Sequence, residues 1–127
     1  MKITFLLFFI LNSALAFTQV AEFLVLDRNI KLPKTKEGEL VHFSYTVLNN
    51  GKAPLLISEI KVICTCTTFE FPKEPIPPNG TGVIKVTFDT KGKIGYQDRT
   101  LDVYSNAENS PYSLRFRIVV DNKAEKK

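Results

Sequence analysis

Between Val41 and Val120 the apolar side chains recur at every second position in short runs, and turn residues break those runs about every ten residues. A period of two marks one face of a strand and does not fit the 3.6-residue repeat of a helix. The closing run is the cleanest: Tyr112, Leu114, Phe116, Ile118 and Val120 alternate with Ser113, Arg115, Arg117 and Val119. Val41, Phe43, Tyr45 and Val47 likewise alternate with His42, Ser44, Thr46 and Leu48, and Ile84, Val86 and Phe88 with Lys85 and Thr87. Leu101 and Val103 point inward, with Thr100, Asp102 and Tyr104 opposite. A first strand falls within Val20–Leu26, and a short edge strand spans Thr67–Phe71. The apolar run from Leu55 places Leu56, Ile60, Val62, Cys64 and Cys66 in one register, and Leu55, Ile57 and Ile63 suggest cover on both faces. The whole predicts an all-β, immunoglobulin-like β-sandwich of about seven strands. Each large apolar side chain fully buried contributes roughly 1.5–3 kcal/mol, so this inward set offsets chain entropy without a disulfide staple.

Between the runs, Asn49-Asn50-Gly51 and the Gly92/Gly95 pair read as turns, because Asn and Gly tolerate positive φ. Pro72 to Gly82 holds four prolines and two glycines and reads as a rigid loop that avoids sheet pairing.

The beginning of the chain has the three parts of a secretory signal: Lys2, an apolar stretch from Ile3 to Leu11, and the small-x-small site Ala14-Leu15-Ala16. Cleavage is expected after Ala16, and the apolar stretch is shorter than the roughly 20 residues of a membrane span. Residues 17–121 then form a single sandwich domain, and residues 122–127 a disordered basic tail. An exported protein, periplasmic or extracellular, is expected. The sequence carries a net charge of +4, and loss of Lys2 with the signal leaves about +3. The bases are scattered apart from Lys31/Lys34/Lys36 and the tail. A nucleic-acid partner, which would require a basic stripe with interleaved aromatics, is therefore not expected.

Ile63-Cys64-Thr65-Cys66-Thr67 contains both cysteines of the chain. Two residues of extended strand put their Cα atoms near the ~6.8 Å upper limit for a disulfide, so bridging requires a bulge or a tight bend. So short a loop would contribute only about 1.6 kcal/mol of loop-closure stabilisation. Local packing is the first reading, since free cysteine is among the most buried residue types. Redox chemistry comes second and a two-coordinate Cu(I) site third. Zinc would require two further ligands, and His42 is the sole histidine.

Several motifs, in order, resemble the bacterial, immunoglobulin-like secreted family catalogued as domain-of-unknown-function family 1573. They are Glu37-Gly38, Asn49-Asn50-Gly51, Pro54-Leu55-Leu56-Ile57, the Cys64-Thr65-Cys66-Thr67 box, Pro75-Ile76 through Val86-Thr87-Phe88, and Ser105-Asn106. The resemblance covers roughly residues 37–120 and implies an immunoglobulin-like module acting in binding, with no catalytic residues to carry over. Ile63 stands where the pattern has Ser, Thr65 where it has Gly, and Asn79 where Gly is common. Gly between the cysteines is what would let a strand kink and bring the sulfurs together, so its loss weighs against a redox role.

No other constellation carries chemistry. His42 falls on a polar strand face with no nucleophile placed near it. Asn79-Gly80-Thr81 matches the N-glycosylation pattern and reads first as a turn. Asp98, Asp102 and Glu108 have no paired-carboxylate spacing. Leu48, Tyr104 and Val119 are apolar on otherwise wet faces and would mark a partner surface if they clustered. The expectation is a non-catalytic module without a cofactor, binding a protein or cell-envelope partner, in part through open sheet edges. The alternative is a thiol–disulfide or Cu(I)-handling protein using Cys64 and Cys66.

Overall fold

The computed structural model describes residues 19–122. The expected signal, its cleavage site and the tail from Lys123 onward lie outside the described residues. Within them the chain is all β: β1 (Phe23–Leu24), β2 (Asn29–Lys31), β3 (Thr35–Lys36), β4 (Leu40–Asn49), β5 (Ile57–Val62), β6 (Thr67–Glu70), β7 (Thr81–Asp89), β8 (Gly95–Ser105) and β9 (Tyr112–Asp121). One sheet has the order β1-β4-β7-β6 and the other β2-β9-β8-β5, with β3 also pairing β9. Nine strands replace the expected seven because the leading segment is divided. Its first piece pairs antiparallel with β4, and β2 and β3 then pair parallel with β9 on the opposite sheet.

The alternation read from sequence is the packing observed. Tyr45, Val47, Ile84, Val86, Phe88, Leu101, Val103, Leu114, Phe116, Ile118 and Val120 are buried between the layers. Phe116 lies centrally, its ring 4.8 Å from that of Phe43 and 5.3 Å from that of Phe88. Tyr45 bridges the sheets, its hydroxyl donating to the Arg115 carbonyl at 2.8 Å. Burial, reinforced by the Asp27 charge, pushes this phenol well above its ordinary value. A folded-state pKa raised above the unfolded one, about 10, contributes stability that is complete below the unfolded value and is lost as pH rises from there through the folded value. Urea unfolding between pH 8 and 11 is thus expected to show alkaline destabilisation that Tyr45→Phe reduces. At pH 7 the same variant should cost about 1–2 kcal/mol for the orphaned carbonyl.

Strand β5 departs from the expected register. A bulge between Ile57 and Glu59 in its pairing with β8 changes parity, so Ile57 and Ile60 are both buried while Leu56 is exposed. The Ser58 hydroxyl donates to the Tyr104 carbonyl at 3.1 Å within that bulge. The strand is therefore covered on one side only and ends at Val62, before the cysteines.

At the end of the sandwich where β4 finishes, side-chain amides stand in for backbone. Asn49 is fully buried: Nδ2 donates to the carbonyls of Ala53 (2.7 Å) and Ile76 (3.0 Å), and Oδ1 accepts from the N–H groups of Gly51 (3.0 Å) and Glu22 (3.3 Å). Gly51 lies against the 20–22 segment so closely that a Cβ there would come within 2.7 Å of the Ala21 carbonyl carbon. Asn109 brackets Phe23 of edge strand β1 through both its amide atoms, accepting at 3.1 Å and donating at 2.8 Å. Asn106 brackets Pro54–Leu56 in the same way, at 2.9 and 2.8 Å. The Asn109 contact blunts the β1 edge, which would otherwise be open to a partner's strand, and Asn106 extends the β5–β8 pairing beyond Ile57. Asn79, at φ 63°, occupies the left-handed position of the turn into β7, as the sequence expectation for Asn required.

Candidate functional site: the disulfide turn between the sheets

Cys64 and Cys66 lie where the chain crosses from β5 in one sheet to β6 in the other. They are joined as a disulfide with Cα atoms 5.2 Å apart. The pair is not on an extended strand. The N–H of Thr67 donates to the Cys64 carbonyl at 3.2 Å, closing a tight turn over Cys64–Thr67, and this is the bend that bridging demanded. Among the described residues Asn79 is the non-glycine with positive φ. Thr65 therefore occupies its turn position without left-handed backbone, which is why Gly is dispensable between the cysteines. Packing and bonding coexist here, since Cys66 packs against the core cluster while its sulfur is bonded to Cys64.

Further bonds hold the turn. The Asp89 N–H donates to the Cys66 carbonyl at 2.9 Å, and the Cys66 N–H points at Cys64 Sγ, 3.2 Å away. Ile63, just before the turn, is 100% exposed. A cleft of about 130 Å³ opens beside it, lined by Val62, Ile63, Cys64, Thr67, Asp98, Arg99 and Thr100. Arg99 donates from Nη2 to Gln97 Oε1 at 2.7 Å, whereas its buried Nε has no partner among the described residues. The Asp98 carboxylate is engaged elsewhere: Arg115 Nε donates to Oδ1 at 2.7 Å, a second contact joins Nη2 to Oδ2, and this bonding holds Asp98 below the usual carboxylate range. The cleft thus combines a sulfur, an apolar rim and a guanidinium whose Nη1 also donates to the Asp98 carbonyl at 3.4 Å. Sulfurs bonded to each other offer no thiolate, so the Cu(I) alternative would require prior reduction.

The other sequence candidates are dispersed. His42 lies on the exposed face of β4, hydrogen-bonded through Nδ1 to Thr87 Oγ1 at 3.0 Å. Asp102 accepts from the Ser113 hydroxyl at 2.7 Å, 11 residues along the chain. Leu48, Tyr104 and Val119 do not cluster: Leu48 is on the sheet opposite the other two, Tyr104 pairs with Glu59, and Val119 pairs with Tyr96. Val119, 40% exposed, instead pairs across β8 and β9 with Tyr96, 63% exposed. A groove of about 240 Å³ adjoins them, lined by Lys31, Leu32, Lys34, Tyr96, Arg117, Ile118 and Val119. Tyr96 and Arg99 escaped sequence reading because Gly95 reads as a turn, although β8 begins there.

Residues 24–120 match the profile of the family described as "Protein of unknown function (DUF1573)". Among solved structures, a protein of unknown function from Porphyromonas gingivalis W83 is similar with TM-score 0.67 and 15% identity, over 84% of this chain and 50% of that one. This chain therefore spans half the length of that protein. The PapD-like domain 7 of human CEP192 is similar with TM-score 0.62 and 14% identity, over 89% of this chain and 94% of that one. The sialic acid binding region of a Streptococcus sanguinis SK1 adhesin gives TM-score 0.57 and 12% identity, over 84% and 31%. These likenesses bear on the fold, an immunoglobulin-like and PapD-like sandwich. The search of curated proteins gave no match. Among the described residues no helix is long and apolar enough to cross a membrane.

Proposed function

The chain belongs to the DUF1573 family, and on that premise we propose that it is an exported, non-catalytic module that docks a protein or cell-envelope partner. The observation that carries this reading is the exposed Tyr96–Val119 pair across β8 and β9, which lines a groove together with Lys31, Lys34 and Arg117. An exposed aromatic next to apolar surface and bases is the composition of an interface rather than of a solvated sheet face. The polar residues are occupied structurally, Asp98 by Arg115 and Asp102 by Ser113, which favours binding over turnover. The disulfide supports an oxidising compartment, in the periplasm or outside the cell. Amino-terminal sequencing of the exported chain should begin at Phe17.

Cross-linking in envelope fractions of the producing cell, with wild type and a Tyr96→Ala/Val119→Glu variant, tests the interaction. Truncating an aromatic anchor and charging its neighbour is expected to reduce capture by about tenfold or more, with thermal unfolding nearly unchanged. Equal capture by both proteins, or a turnover reaction by the mature chain, would overturn the proposal.

A further inference from the structure

We propose that the Cys64–Cys66 bond is a transferable disulfide, which the chain passes to a protein segment bearing two thiols through the cleft beside Ile63 and Arg99. The inference goes beyond the docking surface and rests on different residues. Its first ground is that the turn is held independently of the sulfurs, by Thr67 N–H on the Cys64 carbonyl and Asp89 N–H on the Cys66 carbonyl. Opening the bond therefore leaves the crossover between the sheets tied. Its second ground is access. Ile63 is wholly exposed and offers an apolar contact to an incoming segment, and Cys64 is half-buried at the lip of the cleft.

The third ground is the polarity around Cys64. The Cys66 N–H already points at Cys64 Sγ, and Arg99 lines the same cleft, its Nη atoms donating to the Asp98 carbonyl and Gln97 Oε1 and its buried Nε without a partner among the described residues. A donor and a cation both favour negative charge on that sulfur. Asp98 also lines the cleft; Arg115 engages its carboxylate, and Arg99 is the weakest of the charges acting on it.

The exchange proceeds in two displacements. A partner thiolate attacks Cys64 Sγ and the Cys64–Cys66 bond breaks. Its electron pair leaves on Cys66, which takes a proton. The partner's second thiol, deprotonated, then attacks the partner sulfur of the mixed disulfide. Cys64 departs as a thiolate held by the Cys66 N–H and is protonated. The partner has lost two electrons and two protons and holds a disulfide, and this chain holds two thiols. One disulfide is delivered per chain.

The test incubates the purified, oxidised chain with a synthetic Cys-x-x-Cys dithiol peptide, followed by acid quench, alkylation and mass spectrometry. Mole-for-mole oxidation of the peptide is expected, with an unchanged far-ultraviolet circular dichroism spectrum. A Cys66→Ser chain should capture the aromatic disulfide 5,5′-dithiobis(2-nitrobenzoate) through Cys64 about tenfold faster than a Cys64→Ser chain does through Cys66. Arg99→Gln should slow the Cys64 reaction roughly threefold or more. A bond that stays oxidised in the presence of the peptide until urea unfolds the chain would sink the proposal, and that measurement requires no variant. Equal capture rates at the two sulfurs would remove the role assigned to Cys64. Neither result bears on the Tyr96 face, which is read by cross-linking.

Discussion

Asn49→Asp is expected to destabilise the domain by about 3–5 kcal/mol at pH 7, the cost of an unpaired charge in the interior. The wild-type amide makes four hydrogen bonds, two given to the Ala53 and Ile76 carbonyls and two taken from the Glu22 and Gly51 N–H groups. A carboxylate keeps the two acceptor contacts and turns its other oxygen toward two carbonyl oxygens. Burial and this repulsion raise the folded-state pKa of the new acid above its unfolded value, about 3.9. Stability carried by the neutral form is therefore complete below that value and lost as pH rises through the folded pKa. The deficit relative to wild type should shrink between pH 7 and pH 4, as read by urea midpoints in far-ultraviolet circular dichroism. A deficit below about 1 kcal/mol, the level of an ordinary surface substitution, would show that Asn49 is not the hub the geometry describes.

Phe116→Ala should cost a comparable 3–5 kcal/mol. The residue is fully buried on β9 and contacts Phe43 and Phe88 of the opposite sheet, so its removal leaves a void that rings on rigid strands cannot readily fill. Against a typical domain stability of about 5–15 kcal/mol, the variant approaches its unfolding threshold. Phe116→Leu, which retains most of the volume, should recover the larger part. Equal losses for the two variants would mean that the site does not behave as a packed aromatic core.

Both positions bear on what the sequence could reveal. Phe116 was legible because period-two patterning is a direct consequence of the pleat, and the inward faces of β4, β7, β8 and β9 were read correctly for that reason. Asn49 read only as part of a turn. Its hub role depends on bringing Ala53, Ile76 and Glu22 together, and no local signal encodes that. The β5 bulge was invisible because a single extra residue reverses parity without changing composition. The short pieces β2 and β3 were missed because Ile30 and Leu32 among lysines make no alternating run, and their pairing is supplied by β9. For the disulfide turn, sequence geometry correctly stated that bridging needs a bend, but carrying the strand through to Cys66 hid the fact that the bend is where the chain changes sheets. The apolar face fared similarly, with Val119 found and its partner Tyr96 overlooked.

The division of the leading segment has a consequence for the order of assembly. Residues 29–36 can find their sheet only by lying alongside β9, which itself sits in the interior of that sheet between them and β8. Under the proposed export, a thread emerging from a membrane pore amino end first would wait for β9 before this layer could zip shut. The closing of this layer would then fall on the far side of the membrane, whereas the β1-β4-β7-β6 sheet needs no part of β9.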